Sequence, residues 1–159
     1  MRRAVPLPAC LVVALAAIGC GDSYVPAPVP IAPLPLALRP GCALYAGIVN
    51  GNDKDMTARL LLCPAPGGVT GVIQFVSPGS GWSEREVSGS IGADGAMVLA
   101  DTRMIQSFPS ADWIYCLVDR YDLRQVPATS AGAQSVEGTY VSMQCEDRAT
   151  LALTWEGGG

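Results

Sequence analysis

The chain contains no histidine. That absence removes the commonest general base and the commonest transition-metal ligand. A Ser-His-Asp or Cys-His arrangement cannot be assembled from these residues. Charge is sparse too, at 15% of residues, against about 25% in an ordinary globular domain. No basic stretch is present to neutralise phosphates, so nucleic acid is not an expected partner. No apolar run shows helical periodicity beyond two turns, and no C-x-x-C spacing marks a zinc site. Ser80 and Ser83 have no histidine or lysine nearby to activate them. Nothing holds two carboxylates, such as Asp119 and Glu137, at a workable spacing. The expectation is a protein that is not an enzyme, with no cofactor and no metal.

What is abundant is glycine and proline, 18 and 13 residues of 159. From residue 41 to 157, short apolar runs alternate with turn residues. We read about eight strands: roughly 43–49, 57–64, 69–77, 84–92, 95–101, 113–124, 135–144 and 149–156. Val69, Gly71, Ile73 and Phe75 share one face at a period of two, as do Ala149, Leu151, Leu153 and Trp155. Turn chemistry separates the runs at "NGND" (50–53), "PGSG" (78–81) and "ADG" (93–95). Glycines recur inside strands at Gly47, Gly71, Gly89 and Gly138, where a barrel needs sharp bends. An all-β fold follows: an antiparallel up-and-down meander closing into a small barrel, with a β-sandwich as the alternative. Two stretches, "YAGIVNGNDKDMTARLLL" and "GTYVSMQCEDRATLALTW", share a glycine strand, an acidic turn and an apolar strand. They read as two similar hairpins.

The N-terminus has a different character. Arg2 and Arg3 precede an apolar stretch from Ala4 to Ile18, which ends in Ala17-Ile18-Gly19-Cys20. A basic start, a short apolar run and a small-residue cleavage site describe a secretory signal. The apolar run is too short to span a membrane, which takes about 20 residues. The expected organisation is a signal over 1–19, a lipidated Cys20 with a proline-rich tether over 20–40, and the β domain over 41–157. Without Arg2 and Arg3 the mature chain carries eight basic and fourteen acidic residues, a net charge of −6. The tether, "GDSYVPAPVPIAPLPLALRP" after Cys20, has proline at every second or third position. That spacing excludes a helix and favours an extended, semi-rigid spacer.

Gly19-Cys20 resembles the end of a bacterial lipoprotein signal, in which a small residue precedes the lipidated cysteine. The resemblance implies that Cys20 becomes the mature N-terminus and carries a thioether-linked diacylglycerol and an amide-linked acyl chain such as palmitate. It implies a membrane-anchored protein of the bacterial cell envelope, facing the periplasm or in the outer membrane. Several acyl chains anchor far better than one. An acidic surface would be repelled by anionic headgroups, so the membrane link should be the lipid itself. The domain loosely resembles the small calycin or lipocalin-like barrels in its architecture, which implies a non-catalytic binding role.

With Cys10 in the signal and Cys20 lipidated, Cys42, Cys63, Cys116 and Cys145 remain. An even number in an exported chain points to disulfides. Cys42 and Cys63 are equidistant from the turn at Asn52-Asp53, and Cys116 and Cys145 from the loop near Ser130-Ala131. Residues equidistant from a turn lie opposite each other in an antiparallel hairpin. The expected pairs are Cys42–Cys63 and Cys116–Cys145.

Candidate binding residues concentrate in "WIYCLVDRYDLR" (113–124). Trp113, Tyr115, Leu117, Asp119, Tyr121 and Leu123 alternate onto one face, and Arg120, Asp122 and Arg124 onto the other. If the first face lines a barrel, Tyr115, Asp119 and Tyr121 could contact a small apolar ligand. Otherwise they fill the core, with Asp119 paired to an arginine such as Arg148. Trp82, in "GSGWSERE", reads as a loop residue that either contacts a partner or folds over the barrel mouth. Asn50, Asn52, Asp53 and Asp55 share one loop but lack the spacing of a calcium site, and read as a polar turn. Two roles compete: a barrel carrying a small apolar ligand, and a filled domain that binds an envelope protein or glycan through its loops.

Overall fold

In the computed structural model, residues 33–51, 55–109, 116, 118–127 and 134–158 are described. Eight strands follow one another: β1 (Ala43–Gly51), β2 (Asp55–Ala65), β3 (Gly68–Ser77), β4 (Gly81–Ile91), β5 (Ala96–Pro109), β6 (Asp119–Val126), β7 (Ser135–Ser142) and β8 (Arg148–Gly158). Each pairs antiparallel with the next, and β8 pairs back onto β1. The meander closes into a barrel, as the pattern of short strands implies. Closure of β8 onto β1 removes the two edges an open eight-stranded meander would leave, while β5 beyond Ala100 pairs only with β4 among the described residues. The two similar hairpins are β1–β2 and β7–β8, and they lie side by side where the barrel closes.

Alternation does the sorting. One cluster of buried side chains draws on all eight strands, from Tyr45 and Val49 on β1 to Leu151 and Leu153 on β8. Burying each such side chain contributes about 1.5–3 kcal/mol. Gly47, Gly71, Gly89 and Gly138 all take inward positions opposite core residues. A Cβ on Gly47 would run into the carbonyl oxygen of Ala152, and one on Gly89 into that of Val98. At these points neighbouring strands coil too closely for any side chain.

The outer wall carries ion pairs: Arg59–Glu156 at 2.7 Å, Arg103–Glu86 at 3.0 Å and Arg120–Asp122 at 3.0 Å. The expected ladder of β6 is therefore on the outside, with Arg124 reaching Asp94 at 3.7 Å. An apolar interior and a charged exterior are the reverse of a membrane-spanning barrel, whose lipid-facing band is apolar.

Two strands differ from expectation. β5 runs to Pro109, well past residue 101. Its pairing with β4 shifts register twice, beside Arg85 and beside Val87. Two bulges break the period of two, so "TRMIQSFP" does not read as a strand. β6 begins only at Asp119. Val118 immediately before it has φ of 68°, a conformation costly for a β-branched residue, and it ends any continuous strand from 113. Trp113, Tyr115 and Leu117 lie outside the described residues, as do residues 1–32 with Cys20, and Asn52 and Asp53.

The barrel has two ends. At the upper end lie the β1–β2, β3–β4, β5–β6 and β7–β8 connections. At the lower end lie the other three, with the start of β1 and the end of β8. Residues 33–41 run along the outer wall between them. The Leu34 carbonyl accepts a hydrogen bond from the Gln74 side chain at 2.9 Å. Leu36 packs with Leu44, Leu61 and the Cys42 and Cys63 side chains. A turn closed by Cys42 N–H to Arg39 O, 3.0 Å, then feeds β1. This part of the proline-rich stretch is a strap held against the barrel.

Candidate functional site

Cys42–Cys63 and Cys116–Cys145 are both joined, with Cα atoms 4.2 and 5.8 Å apart. The β1–β2 register pairs Ala43 with Leu62, so the next rung is Cys42 with Cys63. The β6–β7 ladder ends at Asp119 and Ser142, and Cys116 and Cys145 lie three residues beyond it on the two arms. Ladder register thus places the first bridge, and equal distance from the loop matches the second. One staples the lower end and the other the upper. Two disulfides point to an oxidising, extracytoplasmic compartment.

One layer of the interior, toward the upper end, is charged. Arg85 of β4, Asp101 of β5 and Asp119 of β6 point inward and are buried. Arg85 Nη1 donates to Asp101 Oδ2 at 2.9 Å and also to Asp119 Oδ2. The backbone N–H of Asp119 donates to Asp101 Oδ2 at 3.1 Å, and the Tyr121 hydroxyl to Asp101 Oδ1 at 2.9 Å. The guanidinium lies over the Phe75 ring, 5.4 Å from its centroid, and Phe75, Tyr121 and Tyr140 pack around one another at 5.8–6.3 Å. The bulges of β5 flank this layer, bending the strand where it delivers Asp101.

Two carboxylates share one guanidinium here. Burial pushes the Asp119 carboxyl above its ordinary range; Arg85 opposes this and Asp101 adds to it. Burial works against the Arg85 charge, but Tyr121, Asp119 and Asp101 together hold its pKa above the ordinary value. Burial also drives the Tyr121 hydroxyl well above its usual pKa, with Asp101 adding to the shift. Ser83 Oγ, Arg85 Nε and Asp119 Oδ1 are buried with no hydrogen-bond partner among the described residues.

Asp119 and Tyr121 face inward and pack in the core: both are buried, and Tyr121 is locked to Asp101. The partner of Asp119 is Arg85, not Arg148, which is exposed on the far side of β8. Arg85 shares the period-two face of Val87, Gly89 and Ile91, but its neighbours Glu84 and Glu86 make it read as one more surface charge. Trp82 is not a loop residue: it is the second residue of β4, 3% exposed, on the outer wall against the Phe108 ring, 4.5 Å between centroids. It is therefore not an exposed contact residue. Tyr115 lies outside the described residues.

The lower end is different in chemistry. A pocket of about 160 Å³ opens there, lined by Tyr45, Leu62, Pro64, Val69, Ile91 and Gln125 among others, beside the Cys42–Cys63 bridge. The Tyr45 hydroxyl meets the Gln125 side chain, and burial raises its pKa while that contact lowers it. Ile91 (38% exposed) and Trp155 (39%) stand in inward-facing registers at the same rim. The sequence marks Trp155 and Val69 only as apolar strand residues, and does not bring them to one mouth.

The fold and its two bridges define a disulfide-stapled, closed eight-stranded antiparallel barrel, an architecture that fits the calycin-like barrels. No protein-family model, no curated protein and no solved structure matches the chain.

Proposed function

We propose that this is an exported, lipid-anchored envelope protein whose barrel is a non-catalytic binding module, with the lower mouth as its binding surface. The observation that carries this is the contrast between a packed interior and an open apolar mouth. The core cluster and the charged layer occupy the interior positions of all eight strands. The mouth pocket, at about 160 Å³, is smaller than the roughly 300 Å³ at which drug-sized sites begin. It suits one small apolar group: a ring, the end of an aliphatic chain or a partner's side chain. Tyr45 and Gln125 at its floor offer a polar handle for orientation.

The anchor rests on the Gly19-Cys20 junction and on the oxidised state of the four domain cysteines. Metabolic labelling with a palmitate analogue tests it: label should appear on the wild-type chain and vanish in Cys20→Ser. A gentle native mass spectrum of the released protein tests the binding role. Extra mass that leaves on denaturation identifies a bound apolar molecule. A bare mass favours the second reading, an interaction module for an envelope protein or glycan, which the packed interior supports.

A further inference from the structure

Among the described residues, no charged side chain lines the pocket at the lower mouth. An ionised group seated there would lose its water and meet no counter-charge, so the pocket suits a neutral occupant. Size sets the next limit. The pocket holds about 160 Å³, and an apolar cavity of about 150 Å³ admits benzene. One six-membered ring with a small substituent fills it, and a fused ring system is too large. Gly41, at the end of the strap, lines the same pocket, and a Cβ there would meet nothing within 4 Å. The strap therefore borders the mouth and leaves it open.

The walls favour a ring over a chain of equal size. One wall is the Cys42–Cys63 bridge, and sulfur packs favourably against aromatic rings. Tyr45, buried beneath the pocket, adds an aromatic surface of its own. A ring is also rigid, so it enters with little loss of internal freedom, whereas an alkyl chain must freeze its rotors. The Tyr45 hydroxyl meets the Gln125 side chain. An amide has two N–H donors and a carbonyl with two lone pairs, and one hydroxyl engages only part of that capacity. The remainder suits an oxygen carried on the ring.

We infer that the mouth is a site for a small neutral phenol, its ring against the bridge and Tyr45 and its oxygen at Gln125. This deepens the reading of the mouth as the binding surface and rests on it. The pocket takes the whole of such a molecule, which favours a free phenol over a tyrosine presented on a peptide.

The test titrates the full-length, oxidised protein with phenol, benzene, cyclohexanol and benzoate, reading backbone amide NMR shifts at Val69, Ile91 and Gln125. Phenol should bind saturably, with shifts centred on the mouth. Its affinity should exceed that of benzene by about three- to tenfold, the effect of one neutral hydrogen bond, and should exceed those of cyclohexanol and benzoate. Gln125→Leu should abolish the advantage of phenol over benzene and leave benzene binding unchanged. Equal binding of cyclohexanol overturns the aromatic ring, equal binding of benzene the oxygen contact, and equal binding of benzoate the neutral occupant. A tyrosine-containing tripeptide that binds more tightly than phenol overturns the free molecule. In each of those cases the mouth remains a binding surface. If none of the ligands shifts the mouth amides, that underlying reading fails as well.

Discussion

Arg85 and Asp119 sit on strands that are not neighbours, yet their side chains meet inside the barrel, 34 residues apart in sequence. β5 lies between them and contributes Asp101 to the same guanidinium. The three residues tie β4, β5 and β6 together at the end where β5 is bulged, and there they replace apolar packing.

Arg85→Leu should leave two buried carboxylates without a counter-charge, at a cost of about 3–5 kcal/mol. Asp119→Asn keeps a hydrogen-bonding side chain and leaves a one-to-one Arg85–Asp101 pair. It should cost no more than about 1 kcal/mol. Urea denaturation at neutral pH compares the two, and equal losses would sink the charge argument.

The same layer sets a pH dependence. The Asp119 carboxyl is raised in the folded state, first by burial and then by Asp101, against the pull of Arg85. A raised folded pKa contributes stability that is complete below the unfolded value and is lost as pH rises through the folded one. Relative to Asp119→Asn, the wild-type protein should therefore gain stability on acidification from about pH 7 toward about pH 4. Parallel denaturation midpoints for the two proteins over that window would show that Asp119 carries no such linkage.

Each disulfide closes a loop, across sequence separations of 21 and 29 residues, and should contribute about 3 kcal/mol through the unfolded state. Cys42→Ala/Cys63→Ala and Cys116→Ala/Cys145→Ala should each lower the denaturation midpoint. Their effects should add, because the bridges are at opposite ends. Non-reducing peptide mapping checks the pairing itself; a Cys42–Cys116 or Cys42–Cys145 peptide would contradict it.

Gly89 faces inward where a Cβ would strike the Val98 carbonyl. Gly89→Ala should therefore cost on the order of 1–3 kcal/mol, the usual range for forced overpacking. Ser88→Ala, at the adjacent exposed position, should stay within about 0.5 kcal/mol. Thermal unfolding of both variants reads the difference, and a neutral Gly89→Ala would mean the strands can move apart.

Much of this architecture is local and so was visible in the residue order. Alternation marks Ile73, Phe75, Leu151 and Leu153 as inward, because a strand places every second side chain on one face. Glycines at 47, 71, 89 and 138 mark the tight bends, because nothing larger fits where strands coil. Both disulfides follow from distance to a turn, because an antiparallel hairpin mirrors its two arms. Where the mirror or the period breaks, legibility stops: at the bulges of β5, and at Val118 before β6.

Sequence by itself therefore determined the class of fold, the strand order and the cysteine pairing, all of which depend on short-range geometry. Tertiary structure alone decided that Arg85 meets Asp101 and Asp119, that Trp82 is buried on the outer wall, and that residues 33–41 are strapped to the barrel. It also decided that Ile91, Trp155, Tyr45 and Val69 share one mouth. These are contacts between strands that meet only on closure. The angle at which a sheet closes depends on the stagger accumulated around the whole barrel, and no single segment encodes it.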